Sequence, residues 1–180
     1  MVCVLRGPGK RTIRERMRSL GERGAALAGT VLSGAALAVA LASEAWLGLV
    51  PCALCLWERW PYRVAVGLGL LALLLPRWNK LLLWLMALAL LAGAGLGLVH
   101  VGVEQGWWPS PLPECAAPNL GGGTVAERLA RMPARPAKPC DEPTFLVPGL
   151  PVSMALMNLL FALASAVFIA ISASRQRSPA

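Results

Sequence analysis

Cys52 and Cys55, two cysteines separated by two residues, are the residues of this chain with the clearest potential for chemistry. A Cys-x-x-Cys pair can close a disulfide, bind a metal ion or anchor a haem. The spacing places both sulfurs in one helical turn, and Pro51 just before them fits the start of a helix. A thiolate at that position gains from exposed backbone N–H groups and from the helix dipole. The pair therefore predicts redox or metal chemistry.

Arg59 follows Cys55 by four residues, so the two side chains lie one turn apart on the same helix face. A charge in an apolar helix costs about 2.5–3.5 kcal/mol at the bilayer centre on insertion scales. Snorkelling to lipid headgroups would explain Arg59 without any function. A cation beside a reactive thiol could also stabilise its thiolate and hold an electron-rich oxygen of a ligand. Arg63 continues the stripe, with Glu44, Glu58 or a lipid phosphate as candidate partners.

The composition is that of a membrane protein. Hydrophobic residues make up 57% of the 180-residue chain and charged residues 14%, against about 45–50% and 25% in soluble domains. A helix needs about 20 apolar residues to cross a bilayer. Four stretches reach this length, approximately Gly24–Ser43, Cys55–Leu75, Leu81–Val103 and Val152–Ala173. We expect an all-α integral membrane protein, a four-transmembrane-helix bundle with a long outer loop.

The net charge is +8. The distribution of the basic residues indicates a membrane topology rather than a nucleic-acid-binding surface. Basic residues concentrate before the first span, in the short second loop and after the last span: Arg6, Lys10, Arg11, Arg14, Arg16, Arg18, Arg23, Arg77, Lys80, Arg175 and Arg177. The positive-inside rule places these segments in the cytoplasm. Residues 44–54 and 104–151 then face outward, and tryptophans mark the predicted interfaces. We expect the bilayer as a partner and no nucleic acid.

This reading divides the chain into a basic cytoplasmic leader at 1–23, a four-helix membrane domain at 24–173 with its outer loop at 104–151, and a cytoplasmic tail at 174–180. The first span also resembles a cleavable signal peptide, because a basic lead precedes an apolar run and Ala40-Leu41-Ala42. Its full spanning length favours retention of the segment. Cleavage would leave the outward position of the cysteine pair unchanged.

Four of the five cysteines fall on the predicted outer side, namely Cys52, Cys55, Cys115 and Cys140. An even number in an oxidising compartment is typical of disulfide chemistry, and Cys3 remains alone in the leader. Structural zinc usually takes two closely spaced ligand pairs, which the wide separation of the last two cysteines does not supply. Covalent haem needs a histidine where Leu56 stands. No metal site is expected, and a static structural pair of disulfides is the main alternative.

The outer loop holds ten of the fifteen prolines and the run Gly121-Gly122-Gly123, so it cannot form a compact core. One insert reads as helical, because Thr124 and Glu127 match a capping box at its start. We expect a short helix on the outer membrane surface. A mobile loop carrying a cysteine suits delivery of a disulfide to another protein, because exchange needs access for the incoming thiolate.

With these features the chain resembles the bacterial disulfide-bond formation protein B family, DsbB. The resemblance rests on Pro51-Cys52-Ala-Leu-Cys55-Leu-Trp-Glu-Arg59, on the second pair Cys115/Cys140 between spans three and four, and on Cys140-Asp-Glu-Pro before the last helix. It covers nearly the whole chain. It implies a multi-pass protein of the bacterial inner (cytoplasmic) membrane, with both termini cytoplasmic and the redox cysteines on the periplasmic side.

The resemblance also implies a protein-disulfide:quinone oxidoreductase. Such an enzyme reoxidises a periplasmic thioredoxin-like oxidase of the DsbA type and passes two electrons to ubiquinone or menaquinone from the membrane quinone pool. By position, Cys115 would be attacked by the partner's thiolate, and Cys140 would resolve the mixed disulfide and exchange with Cys52. Cys55 would be the thiolate that faces the quinone ring.

The same resemblance implies a quinone-binding role for two further residues. Arg59 would contact a quinone oxygen and stabilise the negative charge that develops during reduction. His100, the single histidine of the chain, would lie at the quinone end near the outer end of span three.

Two other functions fit parts of the pattern. Enzymes of the vitamin K epoxide reductase type share a four-helix layout, but they place their Cys-x-x-Cys late in the chain, whereas Cys52 and Cys55 come early. A non-enzymatic membrane scaffold with structural disulfides would use the same cysteines only to clip the outer loop.

Overall fold

The computed structural model describes residues 13–115, 124–130, 138–146, 149 and 151–175. Cys3, the first twelve residues of the predicted leader and the run of three glycines lie outside the described residues. Within those ranges the chain is all-helical, without strands apart from an isolated bridge between Phe145 and Ser153. The predicted all-α class is confirmed.

The described ranges contain five α-helices: α1 Ile13–Leu47, α2 Ala53–Leu74, α3 Asn79–Glu104, α4 Val125–Ala130 and α5 Met154–Ser174. A short 3-10 turn, Pro76–Trp78, joins α2 to α3, and another, Pro113–Cys115, follows α3. Helix α1 begins well before the predicted span, so part of the basic leader is helical.

Three stretches of the described chain are long and apolar enough to cross a membrane: Arg23–Leu47, Pro76–Glu104 and Met154–Ser174. They indicate a membrane protein. Helix α2 has 22 residues, but its first half carries Glu58, Arg59 and Arg63, and charged side chains oppose insertion. The four-span bundle therefore stays a prediction.

Helix α3 lies at the centre of the assembly, packing against α2 on one side and α5 on the other, while α1 packs mainly against α2. Small residues allow these close approaches, as is usual between helices in lipid. Gly97 faces the backbone of Leu159 on α5, where an added Cβ would lie 3.1 Å from its Cα. Gly93 faces the ring of Pro61 on α2 in the same way.

Polar side chains cap and connect the helix ends next to the site. Ser153 caps α5 by accepting a hydrogen bond from the backbone N–H of Leu156, and its hydroxyl donates to Glu104 at the end of α3 at 2.6 Å. This pair joins the last turn of α3 to the first turn of α5. Both bonds of the capping box form at α4, between Thr124 and Glu127. The location of α4 on a membrane surface stays a prediction.

Candidate active site

Cys52 and Cys55 lie at the start of α2, with Cys52 in the N-cap position. The Cys52 sulfur accepts a hydrogen bond from the backbone N–H of Cys55 at 3.2 Å. Both cysteines are free thiols, and their sulfurs lie 2.9 Å apart. A helix N-terminus stabilises a negative charge on the group that caps it. The sequence analysis predicted this stabilisation for a thiolate of the pair, and in the structure the Cys52 sulfur caps the helix.

His100 and Glu58 extend a chain of buried polar contacts from the Cys52 sulfur. The His100 Nε2 atom lies 3.5 Å from the Cys52 sulfur, and its Nδ1 atom lies 2.8 Å from a carboxylate oxygen of Glu58. All three residues are buried. A carboxylate that accepts from one ring nitrogen fixes the orientation of an imidazole and makes the other nitrogen the acceptor. The arrangement can move a proton to or from Cys52.

The other two cysteines form a disulfide, Cys115–Cys140. Both are buried, and they belong to the same hydrophobic cluster as Cys52, which also contains Leu54 and Val103. Cys55 packs against that cluster. Cys52 and Cys140, 88 positions apart in the sequence, are thus brought together at the start of α2.

A cavity of about 350 Å³ adjoins this cysteine cluster. Residues of α1, α2 and α5 and of the loop before α2 form its walls, which are mostly apolar. The polar side chains in the wall are Ser43, Cys55, Glu58, Arg59, Tyr62, Thr144 and Asn158. The volume falls in the range of small-molecule sites, which combine apolar walls with a few placed polar groups. We call it the α1–α2–α5 cavity.

Arg59 lies on α2 and lines this cavity. Its side chain also links α2 to α1 through an ion pair. One terminal nitrogen of its guanidinium donates to the Glu44 carboxylate at 2.9 Å. The Nε atom of Arg59 is buried and has no hydrogen-bond partner among the residues that the structure describes. A buried donor without a partner is costly, by about 1–3 kcal/mol and more for a charged group. Arg63, by contrast, is exposed, and its guanidinium lies 5.2 Å from the ring centroid of Trp60.

Asn158 places a second unsatisfied donor in the cavity wall. The Tyr62 hydroxyl donates to the Asn158 Oδ1 atom at 2.6 Å, while the Nδ2 atom is buried and finds no partner in the described part of the chain. Sequence reasoning missed Asn158, although an amide in the apolar helix α5 was the available signal. Polar side chains are costly inside a membrane and face a protein interior or cavity.

The donors that lack partners fit a ligand that carries two acceptor oxygens on an apolar ring. A quinone has this chemistry, since each of its carbonyl oxygens accepts hydrogen bonds and its ring and tail are apolar. Arg59 and Asn158 would hold such a group, and Cys55 lines the same cavity. The residues present therefore fit a quinone.

A metal ion fits less well. The ligand atoms of Cys52, Cys55 and His100 lie within 4.8 Å of one another, so a soft cation could meet all three. Two sulfurs on one tetrahedral zinc at 2.3 Å would stand about 3.8 Å apart, whereas these sulfurs are 2.9 Å apart. The geometry favours thiol–disulfide chemistry.

The six residues predicted for the site divide into two groups in space. Cys55 and Arg59 line the α1–α2–α5 cavity. Cys52, Cys115, Cys140 and His100 lie outside its wall, with His100 against the Cys52 sulfur and the disulfide in the adjoining cluster. His100, predicted to lie at the quinone end, contacts Cys52 and Glu58, and Glu58 lines the cavity. A quinone-binding role for His100 stays a prediction.

Comparison with known proteins agrees with this geometry. The family model "Disulfide bond formation protein DsbB" matches residues 22–172. A Rickettsia prowazekii (strain Madrid E) protein whose name describes it only as uncharacterized is similar, at 28% identity over 138 residues, or 76% of this chain and 78% of that protein. No solved structure matches. Because the family match covers most of the chain, including every residue of the site described above, the protein belongs to the DsbB family of disulfide bond formation proteins.

Proposed function

We propose that this chain is a membrane thiol:quinone oxidoreductase that reoxidises a periplasmic thioredoxin-like oxidase of the DsbA type. Membership of the DsbB family implies an oxidoreductase of disulfide formation. One observation carries the finer proposal. Three cysteines share a buried cluster against which Cys55 packs. That cluster adjoins a cavity in which Arg59 and Asn158 present buried donors that have no partner among the described residues.

The first step is exchange between the partner and the Cys115–Cys140 disulfide. The partner's thiolate attacks the Cys115 sulfur, and the Cys140 thiolate leaves. The partner's second thiolate then attacks the mixed disulfide, which frees Cys115 and leaves the partner oxidised. Cys115 and Cys140 are both reduced by the end of this step. Two electrons have entered the chain.

The second step moves these electrons to the cysteines of α2. A thiolate of the reduced outer pair, Cys140 in this proposal, attacks a Cys52–Cys55 disulfide at Cys52. Resolution restores the Cys115–Cys140 disulfide and leaves Cys52 and Cys55 as thiols. The shared buried cluster supports this exchange. The structure has this distribution, one disulfide and two thiols.

The third step removes the electrons through Cys55, which lines the cavity. A bound quinone supplies an acceptor for two electrons and two protons. Arg59 would hold one acceptor oxygen and would provide positive charge where negative charge develops. Asn158 would donate to the second, and the Tyr62 hydroxyl fixes the orientation of its amide. A Cys52–Cys55 disulfide forms as both S–H bonds break, and the cycle closes.

The proposed topology places this chemistry at the periplasmic face of the bacterial inner membrane. All four long helices cross the bilayer in this arrangement, and both termini are cytoplasmic. The positive-inside rule supports it, because Arg77 and Lys80 lie at the opposite end of α2 and α3 from the cysteines. In α2, Glu58 and Arg59 are buried in the protein rather than in lipid.

The test is turnover by the purified protein in lipid nanodiscs with a short-chain ubiquinone and a reduced DsbA-type partner. We expect catalytic oxidation of the partner, and we expect Cys55→Ser to abolish it. A Cys55→Ser protein that turned over at the wild-type rate would remove the proposal. A membrane scaffold with structural disulfides would give no turnover with either protein.

A further inference from the structure

Cys52 and Cys55 differ in their access to the α1–α2–α5 cavity, and this difference creates a problem for proton transfer. Cys55 lines the cavity, whereas Cys52 is buried outside its wall. Reoxidation of the pair releases two electrons and two protons. The electrons leave through Cys55 as the sulfur–sulfur bond forms. The Cys52 sulfur also lies 2.9 Å from the Cys55 sulfur, but a sulfur that is forming this bond cannot take up the proton. The proton of Cys52 therefore needs a separate route.

His100 and Glu58 form a chain of contacts that joins the Cys52 sulfur to the cavity wall. The imidazole lies between the Cys52 sulfur at 3.5 Å and the Glu58 carboxylate at 2.8 Å. His100 does not line the cavity, but Glu58 does. The chain of contacts therefore begins at the thiol that cannot reach the cavity and ends at a carboxylate that can.

The Glu58 contact favours one assignment of the ring nitrogens. An ionised carboxylate accepts only, so beside ionised Glu58 the Nδ1 atom of His100 carries the hydrogen. In a neutral imidazole the Nε2 atom, 3.5 Å from the Cys52 sulfur, then keeps its lone pair. This is the tautomer that a base for Cys52 requires.

We propose that His100 and Glu58 relay the proton of Cys52 to the α1–α2–α5 cavity while the electrons leave through Cys55. The Cys52 S–H proton moves to Nε2 of His100 as the Cys52 sulfur bonds to the Cys55 sulfur. The Nδ1 proton moves to Glu58, which delivers it into the cavity, and Cys55 delivers its own proton there directly. The two protons and two electrons are those that quinone reduction consumes, so the inference rests on the proposed function.

Neighbouring charged groups do not offer the same route. Glu104 lies on α3, one turn after His100, but its carboxylate accepts from the Ser153 hydroxyl and is not part of the cavity wall. Arg59 lines the cavity as a cation, with Glu44 as its partner. A guanidinium does not give up its proton in proteins.

Nuclear magnetic resonance can test the relay without quinone, because His100 is the only histidine in the chain. Protein labelled with [15N]histidine gives one pair of ring signals in the reduced and in the oxidised state. We expect the Nδ1–H tautomer in the reduced protein and a shift of the Nε2 signal on oxidation, when Cys52 loses its proton. An Nε2–H tautomer in the reduced protein, or an Nε2 signal unchanged by oxidation, would overturn the relay.

Single-turnover kinetics provide the second readout. We expect Glu58→Gln and His100→Gln to slow quinone reduction by the reduced protein roughly 100-fold, the usual range for a lost acid–base group being 10²–10⁴. The affinity for a short-chain ubiquinone, titrated by tryptophan fluorescence, should change less than twofold in His100→Gln. Glu104→Gln is the matched control and should keep the wild-type rate.

Other outcomes would separate the alternatives. A His100→Gln protein with weakened quinone binding but a normal rate at saturation would make His100 a quinone contact and overturn the relay. Failure of the proposed function would appear differently, as a wild-type protein that reduces no quinone, and it would remove both proposals whatever the tautomer.

Discussion

The Arg59 guanidinium donates to the Glu44 carboxylate at 2.9 Å across the contact between α1 and α2, and within the described ranges its Nε atom has no partner at the cavity wall. Glu44 is 42% exposed and Arg59 10%, so the pair joins a solvent-facing carboxylate to a nearly buried cation. Its consequence is positional, because it holds the guanidinium beside the cavity.

Replacement of Arg59 by glutamine should weaken quinone binding. A hydrogen bond from a charged group is worth about 1.5–3 kcal/mol, so we expect a roughly ten- to hundredfold loss of affinity in a fluorescence titration with short-chain ubiquinone. Arg63→Gln is the matched control, one turn further along α2 and exposed. Equal affinities in the two variants would contradict the assignment of Arg59.

Replacement of Asn158 by leucine should also weaken quinone binding, but less. A neutral hydrogen bond contributes about 0.5–1.5 kcal/mol, which corresponds to a loss of roughly two- to twelvefold. Tyr62→Phe should reduce the affinity for quinone by a smaller factor, because the Asn158 amide remains but the Tyr62 hydroxyl no longer fixes its orientation. An Asn158→Leu protein that bound ubiquinone like wild type would show that the amide does not contact the ligand.

The double variant Cys115→Ser/Cys140→Ser should separate the two halves of the proposed relay. Dithiothreitol can reduce the Cys52–Cys55 pair directly, so quinone reduction driven by dithiothreitol should persist. Oxidation of the thioredoxin-like partner should be lost. The double variant Cys52→Ser/Cys55→Ser should lose both activities. If the first variant still oxidised the partner at the wild-type rate, the outer disulfide would have no role in the relay.

Gly97→Val should destabilise the contact between α3 and α5. A Cβ at this position lies 3.1 Å from the backbone of Leu159, which cannot move aside like a side chain, and overpacking costs about 1–3 kcal/mol. We expect a lower thermal midpoint in detergent. Gly95→Val on the same helix, where a Cβ meets nothing within 4 Å, is the control. Equal midpoints would mean that the two helices pack less closely here.

The sequence was sufficient for those features that depend on local pattern. The helical class follows from apolar runs, and the start of α2 follows from Pro51 and the cysteine pair. Helical spacing predicted that Cys55 and Arg59 share a face, and both do line one cavity. These inferences need only the geometry of a single helix.

Features that depend on contacts between helices were beyond sequence reasoning. Glu44, Glu58 and a lipid phosphate were all candidate partners for Arg63, yet Glu44 pairs with Arg59 and Glu58 with His100. The rotation of each helix about its axis decides such pairings, and packing of small residues sets that rotation. For the same reason the role of Asn158 could not be predicted, because its side chain lines a cavity that forms only when three helices pack together.

The electron count tests the central claim most directly. Reduced partner, wild-type protein and a limiting amount of short-chain ubiquinone are mixed without oxygen, and thiol loss is compared with quinone loss. We predict two partner thiols consumed for each quinone reduced, with no further oxidation once the quinone is exhausted. Continued oxidation of the partner after that point, or a disulfide yield unrelated to the quinone supplied, would contradict the account.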